Sequence, residues 1–296
     1  MFYNYLLYGL KFRSDIKLFN IPELEKDSIN PDVNIYNGII DTEDIGGKHR
    51  YFYLSKNSSY IKFKYGFLRV NFGKEIVYSI EKDCPAESVT PFIMGWGMAL
   101  VLTQNGYSAF HCSALVYNDQ AFFVSGISGA GKSTTSLELI KHGCKYLSDD
   151  IAIINSFEDM LVPPSFPIQK VCPDVSINLS DNLLYEINND RGKYSYLNLD
   201  DFCNTSKRLK IMFVLLIGEG DEVEIKEITG IWKYMKVLEC LFLGLQYTVS
   251  SLPEEEKYRC LKIAGSIKLY TITRPKNKDT LHNITNTILR IIKQGD

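Results

Sequence analysis

Apolar and polar positions alternate in short runs across roughly the first 85 residues. Tyr51-Phe-Tyr-Leu54, Tyr60-Ile-Lys-Phe-Lys64, Phe67-Leu-Arg-Val70 and Glu75-Ile-Val-Tyr-Ser79 are separated by Gly, Asn, Ser and Lys. A period of two, carried by aromatic and β-branched residues, predicts half-buried strands. A helix is expected next, with Thr90 as N-cap, Pro91 at the first helical position and Gly106 at the C′ position. Ala109 to Tyr117 and Gln120 to Val124 then read as a hairpin turning at Asn118-Asp119, its second strand running straight into Ser125-Gly126. A helix follows from Lys132 to His142 and stops at Gly143.

Lys145 to Ile154 reads as a strand interrupted by two acids, whereas Asn155 to Asn204, rich in Pro, Asn and Asp, receives no assignment. Ile211 to Ile217 is a continuous apolar run of strand length, as a buried strand requires. Glu222 to Ile228 alternates like an antiparallel strand. Trp232, Met235, Leu238, Leu241, Phe242 and Leu245 recur with helical spacing, and Glu254 to Ser266 forms a second helix after Pro253. A strand, Lys268 to Thr273, precedes a C-terminal helix that starts near Asp279 and carries Leu281, Ile284, Ile288 and Ile291-Ile292. The class is α/β with a β-rich N-terminal region.

Composition narrows this little: of 296 residues, 45% are hydrophobic and 23% charged, which excludes a disordered chain, a collagen-like fibre and a coiled coil. Lys plus Arg number 33 against 35 Asp plus Glu, so the net charge of −2 points to neither nucleic acid nor an acidic membrane surface. The longest uncharged apolar stretch, Phe92 to Leu102, is a core helix, being short of the roughly 20 residues that span a bilayer. Cys84, Cys112, Cys144, Cys172, Cys203, Cys240 and Cys260 are odd in number, widely spaced and without a CxxC, so buried thiols in a reducing cytosol are expected. The N-terminus lacks a basic start and a small-residue cleavage site, which leaves a soluble cytoplasmic protein as the expectation.

One motif carries chemistry. Gly126-Ile127-Ser128-Gly129-Ala130-Gly131-Lys132-Ser133, followed by Thr134, matches G-x-x-x-x-G-K-[ST] and stands between an apolar strand and a helix, the context a P-loop needs. Its glycines let backbone N–H groups turn inward, and the helix adds the positive end of its dipole. Lys132 is placed to reach β- and γ-phosphates, and Ser133 to bind Mg²⁺. Asp149 and Asp150 lie 16 and 17 residues after Ser133, on a strand expected to pair beside the P-loop strand. Neighbours on a strand point to opposite faces, so both acids can serve one site only if the strand breaks there. His111, 15 residues before Gly126 on the neighbouring hairpin strand, is either a core histidine or a third member of the site.

His111, the Gly126–Ser133 loop, Leu137-Glu-Leu-Ile-Lys-His-Gly143 and Ser148-Asp-Asp150 together resemble the HPr kinase/phosphorylase family. The resemblance covers residues 109 to 154. It implies a P-loop kinase core related to phosphoenolpyruvate carboxykinase and ATP- and Mg²⁺-dependent phosphoryl transfer to a serine hydroxyl. It also implies roles: His111 near the transferred phosphate, Lys132 on phosphate, Ser133 on metal, Asp149 as general base and Asp150 beside the metal. HPr kinases carry a glycine-rich signature with a metal-binding Glu after the Asp pair, and this chain has no glycine between Gly143 and Gly192.

The N-terminal region, Pro163-Pro164-Ser-Phe-Pro167 and Tyr270-Thr-Ile-Thr-Arg-Pro275 look like HPr-kinase-related proteins of peptide natural-product clusters, among them kinases of the C-terminal serine of lasso-peptide precursors. On this reading, residues 86–296 form the kinase domain, and residues 1–85 serve acceptor recognition or assembly into a homo-oligomer. The partners are a nucleotide and a serine-bearing peptide or protein, with no nucleic acid and no membrane. A kinase of a small hydroxyl compound and a nucleotide-gated binding module are the competing readings. Arg274, at the end of a strand before Pro275, is either a phosphate or acceptor contact or a surface arginine in a turn.

Overall fold

Seven short strands absorb the aromatic and β-branched N-terminal third: β1 (Tyr3–Leu7), β2 (Leu10–Ser14), β3 (Val33–Asn37), β4 (Phe52–Tyr53), β5 (Ser58–Phe63), β6 (Gly66–Asn71) and β7 (Glu75–Ile80). The computed structural model describes residues 2–18, 21–25, 30–41, 43, 51–82, 84–171, 183–187, 193–244 and 252–294. The chain divides into two units, Met1–Tyr107 and Ser108–Asp296. The division falls later than residue 85, because the helical segment after β7 packs within the first unit.

In the first unit the seven strands form one sheet in the order β1-β2-β3-β7-β6-β5-β4. Only β2–β3 and β3–β7 are parallel. Tyr5, Phe12, Ile35, Leu68, Val70 and Ile76 are buried at positions set by the period of two. The helical segment is α1 (Thr90–Phe92), a π turn (Ile93–Gly97) and α2 (Met98–Gln104). Phe92 stacks on Phe63 at 4.3 Å between ring centroids, and Gln104 donates to the Val70 carbonyl at 3.2 Å, so the segment lies on the sheet. Gly106 takes φ +86° just past the helix, as the sequence requires. Thr90 is not the cap. A 3-10 turn, Ala86–Val89, runs straight into the helix, Val89 stands at the N-cap with helical dihedrals, and no side chain caps.

The second unit is built on β8 (Ser108–Phe110), β9 (Cys112–Tyr117), β10 (Gln120–Gly126), α3 (Lys132–Lys141), β11 (Lys145–Ser148), β12 (Ala152–Ile154), β13 (Leu161–Val162), β14 (Ile168–Val171), β15 (Leu183–Ile187), β16 (Lys193–Leu197), β17 (Lys207–Gly218), β18 (Glu224–Glu227), α4 (Gly230–Cys240), α5 (Glu254–Ser266), β19 (Lys268–Pro275) and α6 (Leu281–Gln294). The main sheet runs β11-β9-β10-β17-β19-β18, with β13 also paired to β17. β10, β17 and β19 are parallel neighbours. Both faces of this sheet are covered, which is why Phe122 to Val124 and Ile211 to Leu215 are continuously apolar. Phe123, Met212 and Val214 pack in one core with Val237 of α4 and Ile263 of α5. Phe122, Val124 and Phe213 pack in the other with Leu139 of α3 and Ile288 of α6. β8 and β12 form a separate pair, and β14-β16-β15 a small third sheet.

The unit departs from expectation at several points. The Ala109–Tyr117 strand is broken at His111 into β8 and β9, which belong to different sheets. The Lys145–Ile154 strand is broken at the acids into β11 and β12. β11 pairs with β9 and so lies one strand away from β10, not beside it. The helix expected through Leu245 ends at Cys240, and Trp232 is 74% exposed, outside the core its spacing suggested. Leu245 and Cys172 lie outside the described residues. Cys112, Cys144, Cys203, Cys240 and Cys260 are buried free thiols and Cys84 is half-buried. Burial pushes the Cys240 thiol up to about 11 and the Cys144 thiol up to about 12, so both are held in the unreactive protonated form.

Candidate phosphate-binding site

The strand β10 ends at Gly126 and α3 begins at Lys132, leaving a tight loop between them. Gly126 has φ +143°, and a Cβ there would sit 2.5 Å from the Leu215 carbonyl oxygen in β17, so only glycine lets the chain leave the sheet here. Gly129 and Gly131 also have positive φ, +89° and +104°, and Gly131 is the N-cap of α3. The first N–H groups of a helix have no intrahelical acceptor, so the α3 N-terminus presents donors and its positive dipole end to whatever the loop encloses. Ala130 is buried against the sheet, and its N–H donates to the Ile127 carbonyl at 3.1 Å. Ile127, Ser128 and Gly129 are exposed; Ser133 and Thr134 are half-buried.

The Lys132 ammonium folds back over this loop, donating to the Gly126 carbonyl at 2.7 Å and the Ile127 carbonyl at 3.3 Å. Arg274 braces the loop from β19. Its Nε donates to the Ala130 carbonyl and its Nη2 to the Gly129 carbonyl, each at 3.1 Å. Neither reading of Arg274 from sequence describes this: it is a support for the loop, reached across 144 residues of chain.

The opposite wall is made by the two strand breaks. Phe110 pairs with Ala152, and Ala114 with Ser148, so 111–113 and 149–151 make no ladder pairs with each other where the chain passes from one sheet to the next, although Cys112 and Ser113 stay paired to β10. Asp150 takes φ +75°, and the Ile151 N–H donates to the Asp149 carbonyl at 3.0 Å. This local turn removes the strand alternation and lets both carboxylates line one cleft, at some cost in backbone strain. The cleft, about 300 Å³, is lined by the Ser128–Thr134 loop and helix start on one side and by His111, Ser113, Asp149, Asp150 and Lys170 on the other.

The two acids have different environments. Asp149 accepts from the Ser113 hydroxyl at 2.9 Å and from the Lys170 backbone N–H at 2.8 Å. Burial, reinforced by the charge of Asp150, outweighs these bonds and holds its carboxyl above the ordinary range. Burial also disfavours the charge on Asp150, but the Lys170 ammonium at 2.6 Å from Oδ2 and His111 Nε2 at 3.4 Å from Oδ1 outweigh it and hold this carboxyl well below the ordinary range. Lys170 in turn is raised by Asp150 against its own desolvation. His111 is fixed by its backbone N–H, which donates to the Cys240 carbonyl at 3.0 Å, and by Phe242, whose ring lies 5.6 Å away.

Sequence reasoning missed Ser113 and Lys170. A lone hydroxyl in the apolar strand Cys112-Ser-Ala-Leu-Val116 was a visible signal; Lys170 sits in the unassigned segment, three residues after Pro167, and carried none. Among the described residues no group of three or more His, Cys, Asp or Glu side chains is placed to hold a metal ion. Mg²⁺ needs less, since it keeps several waters and takes one or two protein oxygens with phosphate oxygens. The hard oxygens of Ser133 and Asp150, both lining the cleft, fit it.

No protein-family model and no curated protein matches this sequence. Among solved structures, the Hpr(Ser) kinase/phosphatase from Coxiella burnetii is similar to this chain at a TM-score of 0.31 and 14% identity, over 63% of this chain and 95% of that one. So remote a likeness carries no weight for function. The molecule is a mixed α/β protein of several sheets. No helix among the described residues is long and apolar enough to cross a membrane.

Proposed function

We propose that this protein is a phosphotransferase that uses ATP with Mg²⁺ to phosphorylate a serine hydroxyl of a peptide or protein. One observation carries the reading: the glycine-rich loop and helix start, through Ser128, Gly129 and Gly131–Thr134, open into the same cleft as Asp149, Asp150 and His111. The loop and the α3 N-terminus bind the phosphate chain, and Lys132 leaves its loop carbonyls for the β- and γ-phosphates. A second hollow of about 160 Å³ shares Gly131 and Thr134 with the cleft and is bounded by Arg274, Lys278 and Asp279, giving the nucleoside a place to lie. Ser133 and Asp150 would hold Mg²⁺, which when bound would neutralise charge on the phosphates.

The transfer forms a bond between the acceptor oxygen and the γ-phosphorus and breaks the bond from that phosphorus to the β–γ bridging oxygen. Asp149 takes the hydroxyl proton, a role that suits a buried carboxylate whose affinity for a proton is raised. The acceptor we infer, from the sequence resemblance, is a peptidyl serine, the C-terminal serine of a lasso-peptide precursor being the specific candidate. The first unit, Met1–Tyr107, is left for acceptor recognition or assembly.

Calorimetric titration with a non-hydrolysable ATP analogue and Mg²⁺ tests the core of this. Lys132→Ala is expected to abolish measurable affinity in a folded protein. Asp149→Asn is expected to bind within a few-fold of wild type while its transfer to a serine-bearing peptide falls by about 10²–10⁴. Unchanged affinity in Lys132→Ala refutes the nucleotide site. Transfer to free amino acids or sugars, with none to peptides, replaces the acceptor.

A further inference from the structure

Lys170 engages both acids at once, by different groups. Its backbone N–H donates to Asp149 Oδ2 at 2.8 Å, and its ammonium to Asp150 Oδ2 at 2.6 Å. The first bond already ties β14 to the β11–β12 break, so the strand is held there without the ammonium. The ammonium reaches into the cleft, with about a third of the side chain open to solvent, on the wall facing the glycine-rich loop. There it sits on the carboxylate proposed above to hold the metal. A compact ammonium on a flexible four-carbon stem can occupy such a position and leave it, unlike a guanidinium locked by two parallel bonds.

We propose that Lys170 is a built-in counter-cation that occupies Asp150 in place of the divalent metal and is displaced when the metal arrives. Phosphates approaching a bare Asp150 meet a like charge inside a partly desolvated cleft, where repulsion is far stronger than in water. With Lys170 in place, the empty site presents a neutralised pair, and Mg²⁺ must compete with the ammonium for one carboxylate oxygen. His111, on the other oxygen at 3.4 Å, keeps the carboxylate oriented through the exchange. The inference rests on the phosphotransferase reading for a metal at Asp150, and a titration with metal alone reads the competition without nucleotide.

The test uses the full chain and two titrations. In the first, Mn²⁺ alone is titrated by calorimetry into wild type, Lys170→Met and Lys170→Arg. Lys170→Met is expected to bind it at least tenfold more tightly than wild type and Lys170→Arg about as wild type does. Equal affinity in Lys170→Met and wild type overturns the proposal whether or not the protein binds nucleotide. In the second, the ATP analogue is titrated with Mg²⁺ and with a chelator. The ratio of metal-free to metal-loaded Kd is expected to rise at least tenfold in Lys170→Met, whereas a merely structural lysine weakens both alike and leaves the ratio unchanged. Wild type that binds no analogue under either condition refutes the nucleotide reading and leaves the Mn²⁺ result to decide for Lys170. Asp150→Asn covers a Lys170→Met chain that fails to fold: freed from its carboxylate, the ammonium is expected to make metal-free analogue binding at least as tight as in wild type. Weaker metal-free binding in a folded Asp150→Asn overturns the proposal.

Discussion

Asp149 and Asp150 are adjacent and chemically alike, yet their surroundings drive them in opposite directions, and this divides their effects on stability. Asp150 is held below the ordinary carboxylate range by Lys170 and His111, which outweigh its burial. Its contribution is therefore present above the unfolded value of about 4 and is lost as the pH falls from there toward the depressed folded value. Asp149 is raised by burial, so the fold gains from its protonation at low pH and loses that gain as the pH rises through the raised value. Asp150→Asn is expected to cost about 1–2 kcal/mol at neutral pH, somewhat more than an exposed ion pair. Denaturant titrations at pH 7 and at a pH below about 4 should show that cost shrinking on acidification. A cost that is constant or grows at low pH contradicts the pairing. Arg274 offers a second residue-level test. Arg274→Ala removes two bonds to loop carbonyls and should weaken nucleotide binding about tenfold, or 1.4 kcal/mol, with the far smaller effect on acceptor KM expected of a residue that supports the loop.

At the scale of elements, the site depends on where strands stop. β10 must end as it meets the loop, and Gly126 ends it because any side chain there runs into the Leu215 carbonyl of the neighbouring parallel strand. Gly129 has φ +89° but open space around its missing Cβ. The two glycines should therefore differ on substitution. Gly129→Ala is expected to cost about 1 kcal/mol, the price of a left-handed backbone. Gly126→Ala is expected to cost about 3 kcal/mol, because backbone must also move. Thermal unfolding of the two variants side by side checks the order, and equal losses would place the constraint in the dihedral alone. The breaks at His111 and at 149–151 work in the same way: each carries the chain from one sheet to another, and the turn at the Asp pair releases both carboxylates from strand alternation into the cleft.

Taken whole, the chain comprises two units with separate contents. Every residue placed in the candidate site belongs to the second, Ser108–Asp296, which has a sheet covered on both faces by its own helices. A chain starting at Ser108 is therefore expected to fold and to bind the ATP analogue within a few-fold of the full protein. On the proposed division of labour it loses transfer to a peptide acceptor. Titration of the shortened chain and a peptide-phosphorylation assay check the two halves separately. Absence of analogue binding by a folded 108–296 chain rules out a self-sufficient second unit.

Much of this was legible in the sequence because it is written locally. The Gly126–Ser133 motif, the helix it opens, Gly106 past α2, the hairpin turn at Asn118-Asp119, and the span of α5 each follow from a few neighbouring residues and the conformations they allow. The condition that the Asp pair could serve one site only if its strand broke was also readable, since it follows from strand geometry alone. Tertiary structure alone decided that the strand does break, that β9 stands between the acids and the loop strand, that Trp232 is outside the core, and that Lys170 and Arg274 join the site. Helical spacing reports that one face is apolar but not whether a neighbour covers all of it. Strand order depends on which edges meet, and a lysine's partner depends on chain folded back over many residues. These are long-range outcomes, set by the packing of whole sheets, and no short window of sequence contains them.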